Sequence, residues 1–177
     1  YFMKKLSLAI IASVSLLLII FYAKNDNMGS IEVGDKVPGF VLQDQNGVHY
    51  QVNSEMGKAM VIYFYPKDDT PGCTKEACKF RDDFESFSDL ETLVIGISGD
   101  SVESHKNFEE KYKLPFVLLS DIKNEVRHLF GVPKSMFFLP GRVTYVIDKK
   151  GIVQYVFNSQ FGAEKHIENS LKRLKNF

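Results

Sequence analysis

Only two cysteines occur in the 177 residues, and neither sign of charge prevails, with 22 basic residues against 22 acidic ones. The balanced charge creates no net field of the kind that draws a protein to nucleic acid or to an acidic surface. The basic ending "LKRLKNF" reads as the solvated face of a last helix. A zinc centre needs four ligands, and His49, His105, His128 and His166 are scattered, with no second pair at ligand spacing. Those histidines also lack carboxylates at telling spacings, so none is assigned a catalytic part. Internal repeats and low-complexity tracts are absent too. What remains, beyond an apolar start, is about 150 residues, enough for one hydrophobic core without covalent staples.

The apolar start is the first positive feature. Lys4 and Lys5 precede an uncharged run from Leu6 to Ala23, followed by Lys24, Asn25 and Asp26. This is the pattern of a membrane-targeting segment. The best match to a cleavage site, "FYA", places bulky Phe21 where a small residue belongs, which favours an uncleaved anchor over a removed signal. Basic residues ahead of the run place the domain on the far side of the membrane. The expectation is therefore an extracytoplasmic or lumenal protein, in a periplasm or a plastid-type lumen, exported or attached through residues 6–23. Residues 1–24 form the signal or anchor, the polar residues 25–35 a linker, and 36–177 a single domain.

Within that domain, "FVLQDQNGVHYQV" carries two short apolar runs around Asn46-Gly47, a hairpin signal. "KAMVIYFYP", Lys58 to Pro66, is nearly continuous in apolar residues and reads as a central strand buried on both faces. Ala77, Phe80, Phe84 and Phe87 recur at helical spacing, which predicts a helix from Cys73 to about Phe87. Strand Thr92–Ser98, helix Val102–Tyr112, strand Phe116–Ser120 and helix Asn124–Phe130 follow in alternation, the signature of an α/β sheet with parallel crossovers. Asp148 to Gly151 then reads as a turn joining two late strands, so the sheet is expected to be mixed. A last helix, about Ala163 to Lys175, would bury Ile167, Leu171 and Leu174.

Both cysteines lie in "YPKDDTPGCTKEACKF", five residues apart. On a helix such positions have Cα atoms roughly 8 to 9 Å apart and point about 140° away from each other. A disulfide needs less than about 7 Å, so a bond between Cys73 and Cys78 requires the first helical turn to unwind. A permanent staple fits poorly. Cys73 follows a Thr-Pro-Gly turn at the start of a helix, where unpaired N–H groups and the helix dipole favour the thiolate. The turn also sets it at the carboxyl edge of the sheet, where α/β proteins place their chemistry. Oxidation of Cys73 first, and bonding to Cys78 after local unwinding, suits that geometry.

"PKDDTPGCTKEAC" resembles the active-site motif of the peroxiredoxins, in the form typical of the peroxiredoxin Q and bacterioferritin comigratory protein branch. The similarity runs from about Ile31 to Phe177 and includes "VIGISGDSVESHKNF", "YKLPFVLLSD" and "PGRVTYVIDKKGIVQYVFNSQF". The resemblance implies a thioredoxin-like fold, with a mixed central sheet flanked by helices and an N-terminal β-hairpin added. It implies that Cys73 attacks a hydroperoxide and becomes a sulfenic acid, and that Cys78 condenses with it into an intramolecular disulfide. A thioredoxin or similar dithiol would restore both thiols, and no cofactor or metal would be needed. By the same resemblance Thr70 would position the peroxide, Pro66 would shape the pocket, and Arg142 would stabilise the thiolate and the charge developing on the peroxide oxygens. A working monomer is implied, since both cysteines lie in one chain. Glu76 suits a motif hydrogen bond and a helix start equally well, and Lys75 reads as solvated. Tyr65, Phe80, Met136 and Phe137 are candidate walls for organic hydroperoxides. A membrane-anchored redox sensor using the same disulfide is the rival function.

Overall fold

The structure is a computed structural model, and it describes residues 29–135 and 139–176. The leader expected over residues 6–23, and Met136 and Phe137, lie outside the described residues. Among the described residues no helix is long and apolar enough to cross a membrane.

The chain begins with a hairpin of β1 (Phe40–Asp44) and β2 (His49–Val52). Its turn is closed by the Asp44 carboxylate, which accepts the backbone N–H groups of Asn46 and Val48 at 2.8 and 2.9 Å. Next come β3 (Ala59–Phe64), helices α1 (Pro71–Asp82) and α2 (Phe84–Asp89), and β4 (Thr92–Ser98). Helix α3 (Val102–Tyr112), β5 (Val117–Ser120) and the short α4 (Glu125–Leu129) complete the alternating region. A two-residue pair, β6 (Lys134–Ser135) and β7 (Leu139–Pro140), precedes β8 (Val143–Ile147), β9 (Val153–Asn158) and α5 (Ala163–Leu174).

Seven strands form one sheet in the order β2-β1-β5-β4-β3-β8-β9. β4 runs parallel to both β3 and β5, whereas β1, β2, β8 and β9 pair antiparallel. The sheet is therefore mixed and the fold is thioredoxin-like, as expected. Every residue of β3 is buried, because both faces of the strand are covered. Its Met60, Ile62 and Phe64 point into a core with Phe40, Phe130 and Tyr145, while Val61 and Tyr63 face a second core holding Cys73, Phe80, Phe108 and Ile167.

Three expectations shift. The predicted helix over 73–87 starts two residues earlier, with Pro71 in its first turn, and breaks at Asp83. Asp83 leaves helical geometry at φ −97°, ψ 8° and takes an ion pair from Lys79 at 2.9 Å, yet Phe87 on α2 stays buried and continues the apolar stripe. In α5 Ile167 and Leu174 are buried as expected, but Leu171 is only half-buried, and His166 and Ser170 are buried with them. Finally, the residues expected to end the linker lie against the sheet. Ile31 donates its N–H to the Phe130 carbonyl at 3.1 Å, and Gly34 donates to Val153 at 2.8 Å.

Candidate active site

The end of β3 and the start of β8 are neighbours, since Phe64 pairs with Val143 at the last step of their ladder. One step beyond, the chain leaves β3 through Tyr65 and Pro66 into the motif loop, while Arg142 stands ready to enter β8. Two residues 69 positions apart, Cys73 and Arg142, thereby meet.

The motif loop is pinned by its two aspartates. Asp69 adopts a positive φ of 55°, a backbone region unfavourable for most side chains, and its carboxylate is held by Lys111 Nζ and by the Tyr112 hydroxyl, each at 2.8 Å. Those two bonds hold the Asp69 carboxyl below the usual carboxylate range. Asp68 turns inward and is buried. It accepts hydrogen bonds from the Tyr65 hydroxyl at 2.7 Å and the Ser104 hydroxyl at 2.7 Å, and lies 2.9 Å from Nδ1 of His105, which is fully buried. Its backbone N–H donates to Asp100 at 2.9 Å, so the loop is tied to the segment after β4. His105 therefore does meet a carboxylate, 37 positions away, at a separation that sequence spacing could not reveal.

Thr70 caps α1 from extended backbone, and its hydroxyl donates to the Lys67 carbonyl at 3.0 Å. The structure thus shows the threonine in a turn bond, without a contact to the Cys73 sulfur. Pro66 is half-buried at the edge of the site. Cys73 sits in the first turn of α1, which contains no acidic residue to oppose an anion there, and it is 2% exposed beside exposed Pro71 and Gly72. Arg142 Nη2 donates to Cys73 Sγ at 3.2 Å. A side chain at position 72 would crowd this contact, because a Cβ there would stand 3.3 Å from the same nitrogen.

The other arm of the Arg142 guanidinium donates to Oε2 of Glu76, one turn further along α1 and fully buried. Burial pushes the Glu76 carboxyl up to about 8 against the pull of Arg142. Burial works against the Arg142 charge, but Glu76 and Cys73 together outweigh it and hold the guanidinium protonated. With Glu76 easily neutral, Arg142 brings a positive charge directly against the Cys73 sulfur. Behind this pair, His166 is fully buried, with Nδ1 2.8 Å from the Thr144 hydroxyl and Nε2 3.0 Å from the Ser159 carbonyl. A carbonyl can only accept, so Nε2 carries the proton and Nδ1 receives the Thr144 hydroxyl. Burial lowers this histidine to about 4, and it stays neutral at physiological pH.

Cys78 is half-buried on another face of α1, and both thiols are free. The positive Arg81 guanidinium lies near it and donates to the Tyr112 carbonyl at 2.8 Å. Lys75 pairs with Glu164 at 3.0 Å through a largely exposed side chain, consistent with a solvated position. Tyr65 and Phe80 are buried and packed against Tyr63 in stacked geometry, so they form no open pocket wall. Among the described residues no group of acidic, histidine or cysteine side chains could hold a metal ion. Of the expected set, then, Cys73 and Arg142 are in contact, Thr70 and Pro66 flank them, and Cys78 stands apart. Sequence reasoning missed the Glu76 pairing with Arg142 as a definite contact, and missed Arg127 entirely. The adjacent aspartates of "KDDT" were the available signal for the pinned loop.

Residues 33–156 match the model of the AhpC/TSA family. A chloroplastic peroxiredoxin Q of Sedum lineare is 54% identical over 153 residues, covering 86% of this chain and 82% of that one. Among solved structures, peroxidoxin BcpB from Mycobacterium tuberculosis superposes with a TM-score of 0.76 at 36% identity, covering 83% of this chain and 98% of that one. Peroxiredoxin Q from Xanthomonas campestris gives 0.72 at 30% identity, covering 77% and 90%.

Proposed function

The chain belongs to the AhpC/TSA family and is a thiol-dependent peroxidase, and we propose that Cys73 carries its oxidation and Cys78 its resolution. The observation that supports this most is the 3.2 Å contact between Arg142 Nη2 and the Cys73 sulfur in the first turn of α1. Two positive partners meet at one sulfur there, the guanidinium and the helix end.

In the first step the Cys73 thiolate attacks the terminal oxygen of a hydroperoxide. The S–O bond forms as the O–O bond breaks, sulfur is oxidised, and the leaving alkoxide or hydroxide takes a proton to give an alcohol or water. Arg142 stabilises the charge that develops on the two oxygens, and Pro66 and Thr70 bound the approach to the sulfur. The Thr70 hydroxyl must turn from the Lys67 carbonyl to take part. In the second step the Cys78 thiol displaces water from the sulfenic acid and a disulfide forms. Because the intact helix holds the two sulfurs on different faces, α1 must unwind between the steps. A thioredoxin-type dithiol then reduces the disulfide by exchange and is itself oxidised.

Both working cysteines belong to one chain, so a monomer suffices. The relatives named as chloroplastic support a plastid compartment, and the apolar run at 6–23 supports attachment to or export across a membrane there. The sensor reading keeps the same disulfide but makes the unwound α1 a signal. Steady-state consumption of hydrogen peroxide by the full chain with thioredoxin, its reductase and NADPH separates the two. The peroxidase turns over many times, whereas a sensor stops after one equivalent.

A further inference from the structure

Arg127 is 5% exposed and lies on α4, with no part in the chemistry above. The Asp121 carboxylate anchors its backbone, accepting the N–H groups of Val126 and Arg127 at 3.3 and 2.8 Å. Its guanidinium bonds two carbonyls instead of an acid. Nη1 donates to Gly141 at 2.9 Å and Nη2 to Tyr65 at 2.8 Å, while the guanidinium carbon lies 5.5 Å from the Phe64 ring centroid. Gly141 immediately precedes Arg142, and Tyr65 immediately precedes Pro66. The β3–β8 ladder ends at Phe64 and Val143, so the fork spans the two chain segments where the ladder stops. Lysine has no rigid fork with which to do this.

We propose that Arg127 is a positioning residue that fixes Arg142 and the Cys73 loop at working distance, and so sets how fast Cys73 reacts with hydroperoxide. The proposal rests on the peroxidase assignment of Cys73. Charge adds to the geometry. The ionisable groups within reach of the guanidinium are Asp121, Cys73, Tyr145 and Tyr65. Asp121 is turned to backbone N–H groups, the Tyr145 hydroxyl donates to the Phe130 carbonyl, and the Tyr65 hydroxyl donates to Asp68. Of these, Cys73 is the group whose charge changes during turnover. With Arg142, Arg127 supplies a second buried cation whose charge reaches Cys73.

The test uses the full chain with Arg127→Met and Arg127→Lys, and reads three quantities. These are the second-order rate of Cys73 oxidation by hydrogen peroxide, the pH midpoint of Cys73 alkylation, and the rate at which thioredoxin reduces the preformed disulfide. For Arg127→Met the peroxide step should fall about thirtyfold, since small displacements at a reacting centre cost up to about a hundredfold, with the alkylation midpoint moved upward. Reduction of the disulfide should stay within about twofold of wild type. Arg127→Lys keeps the charge and loses the fork, so its midpoint should hold while the peroxide step falls about tenfold. A folded Arg127→Met with the peroxide step and midpoint unchanged from wild type overturns the proposal. So does an equal loss in both steps together with a lower melting temperature, which would make Arg127 a prop for the fold alone. If Arg127→Met does not fold, Arg127→Lys with a wild-type peroxide rate overturns it. A wild type inert to peroxide would instead remove the premise, and the proposal with it.

Discussion

Replacing Glu76 by Gln keeps the shape of the side chain and removes its ionisation. The folded carboxyl titrates near 8, whereas its ordinary value is 4.5, and the main cause is complete burial. A folded value above the unfolded one means that the folded protein holds a proton which the unfolded chain releases. The stability Glu76 contributes is therefore full below about pH 4.5 and is lost as pH rises through about 8. That separation corresponds to about 4 to 5 kcal/mol across the whole window, and to about 3 kcal/mol by pH 7. The Glu76→Gln protein cannot show this slope. Urea unfolding should be measured between about pH 5 and 9 with Cys73→Ser in both proteins, to remove the thiol that shares Arg142 with Glu76. The Glu76→Gln protein should gain on its parent steadily with pH and exceed it near neutrality. Its peroxide rate in the Cys73 background should nevertheless fall, because the carboxyl that fixes one arm of the Arg142 fork is replaced by an amide that presents one acceptor oxygen instead of two. A variant less stable than its parent by about 3 to 5 kcal/mol at every pH would refute the reasoning, since that is the cost of breaking an ionised buried pair.

Three further outcomes follow from other parts of the site and its core. The Tyr63 hydroxyl is buried without a hydrogen-bond partner among the described residues, so Tyr63→Phe should raise stability by about 1 kcal/mol, read as a higher melting temperature with unchanged peroxide rate. At Gly96 on β4 a Cβ would stand 2.7 Å from the Tyr63 ring and 2.8 Å from Leu118, so Gly96→Ala should cost about 2 kcal/mol in urea unfolding. His166 is lowered by burial to about 4 from 6.5, so its stabilisation is full above pH 6.5 and lost as pH falls through 4; His166→Gln should remove about 3 kcal/mol of acid-dependent loss from the unfolding curve.

The parts of the molecule that were legible in the sequence are those specified by neighbours along the chain. The apolar run of β3, the Asn46-Gly47 turn and the periodicity of α5 each carry their own signal. Cys73 was legible because a turn before a helix marks its place, and Arg142 through the family resemblance of the "PGR" stretch that holds it. The break at Asp83 was not, since the apolar stripe continues unaltered across it. Nor was the placement of β1 beside β5, which depends on packing between distant segments. The same holds for contacts made across the fold. Asp68 meets His105 over 37 positions, Glu76 meets Arg142 over 66, and Arg127 reaches Tyr65 over 62. An arginine in a five-residue helix gives no sign, in sequence, of which carbonyls it will find.

The central claim is that two cysteines on one helix act in succession, and mass measurement after one equivalent of hydrogen peroxide tests it most directly. The wild-type full chain should lose two hydrogens, with peptide mapping placing the new bond between Cys73 and Cys78. Cys78→Ser should gain one oxygen at Cys73 and stop, and Cys73→Ser should remain unmodified. One oxygen gained at Cys78 with Cys73 intact, or oxidation of Cys73→Ser as fast as wild type, would contradict the account.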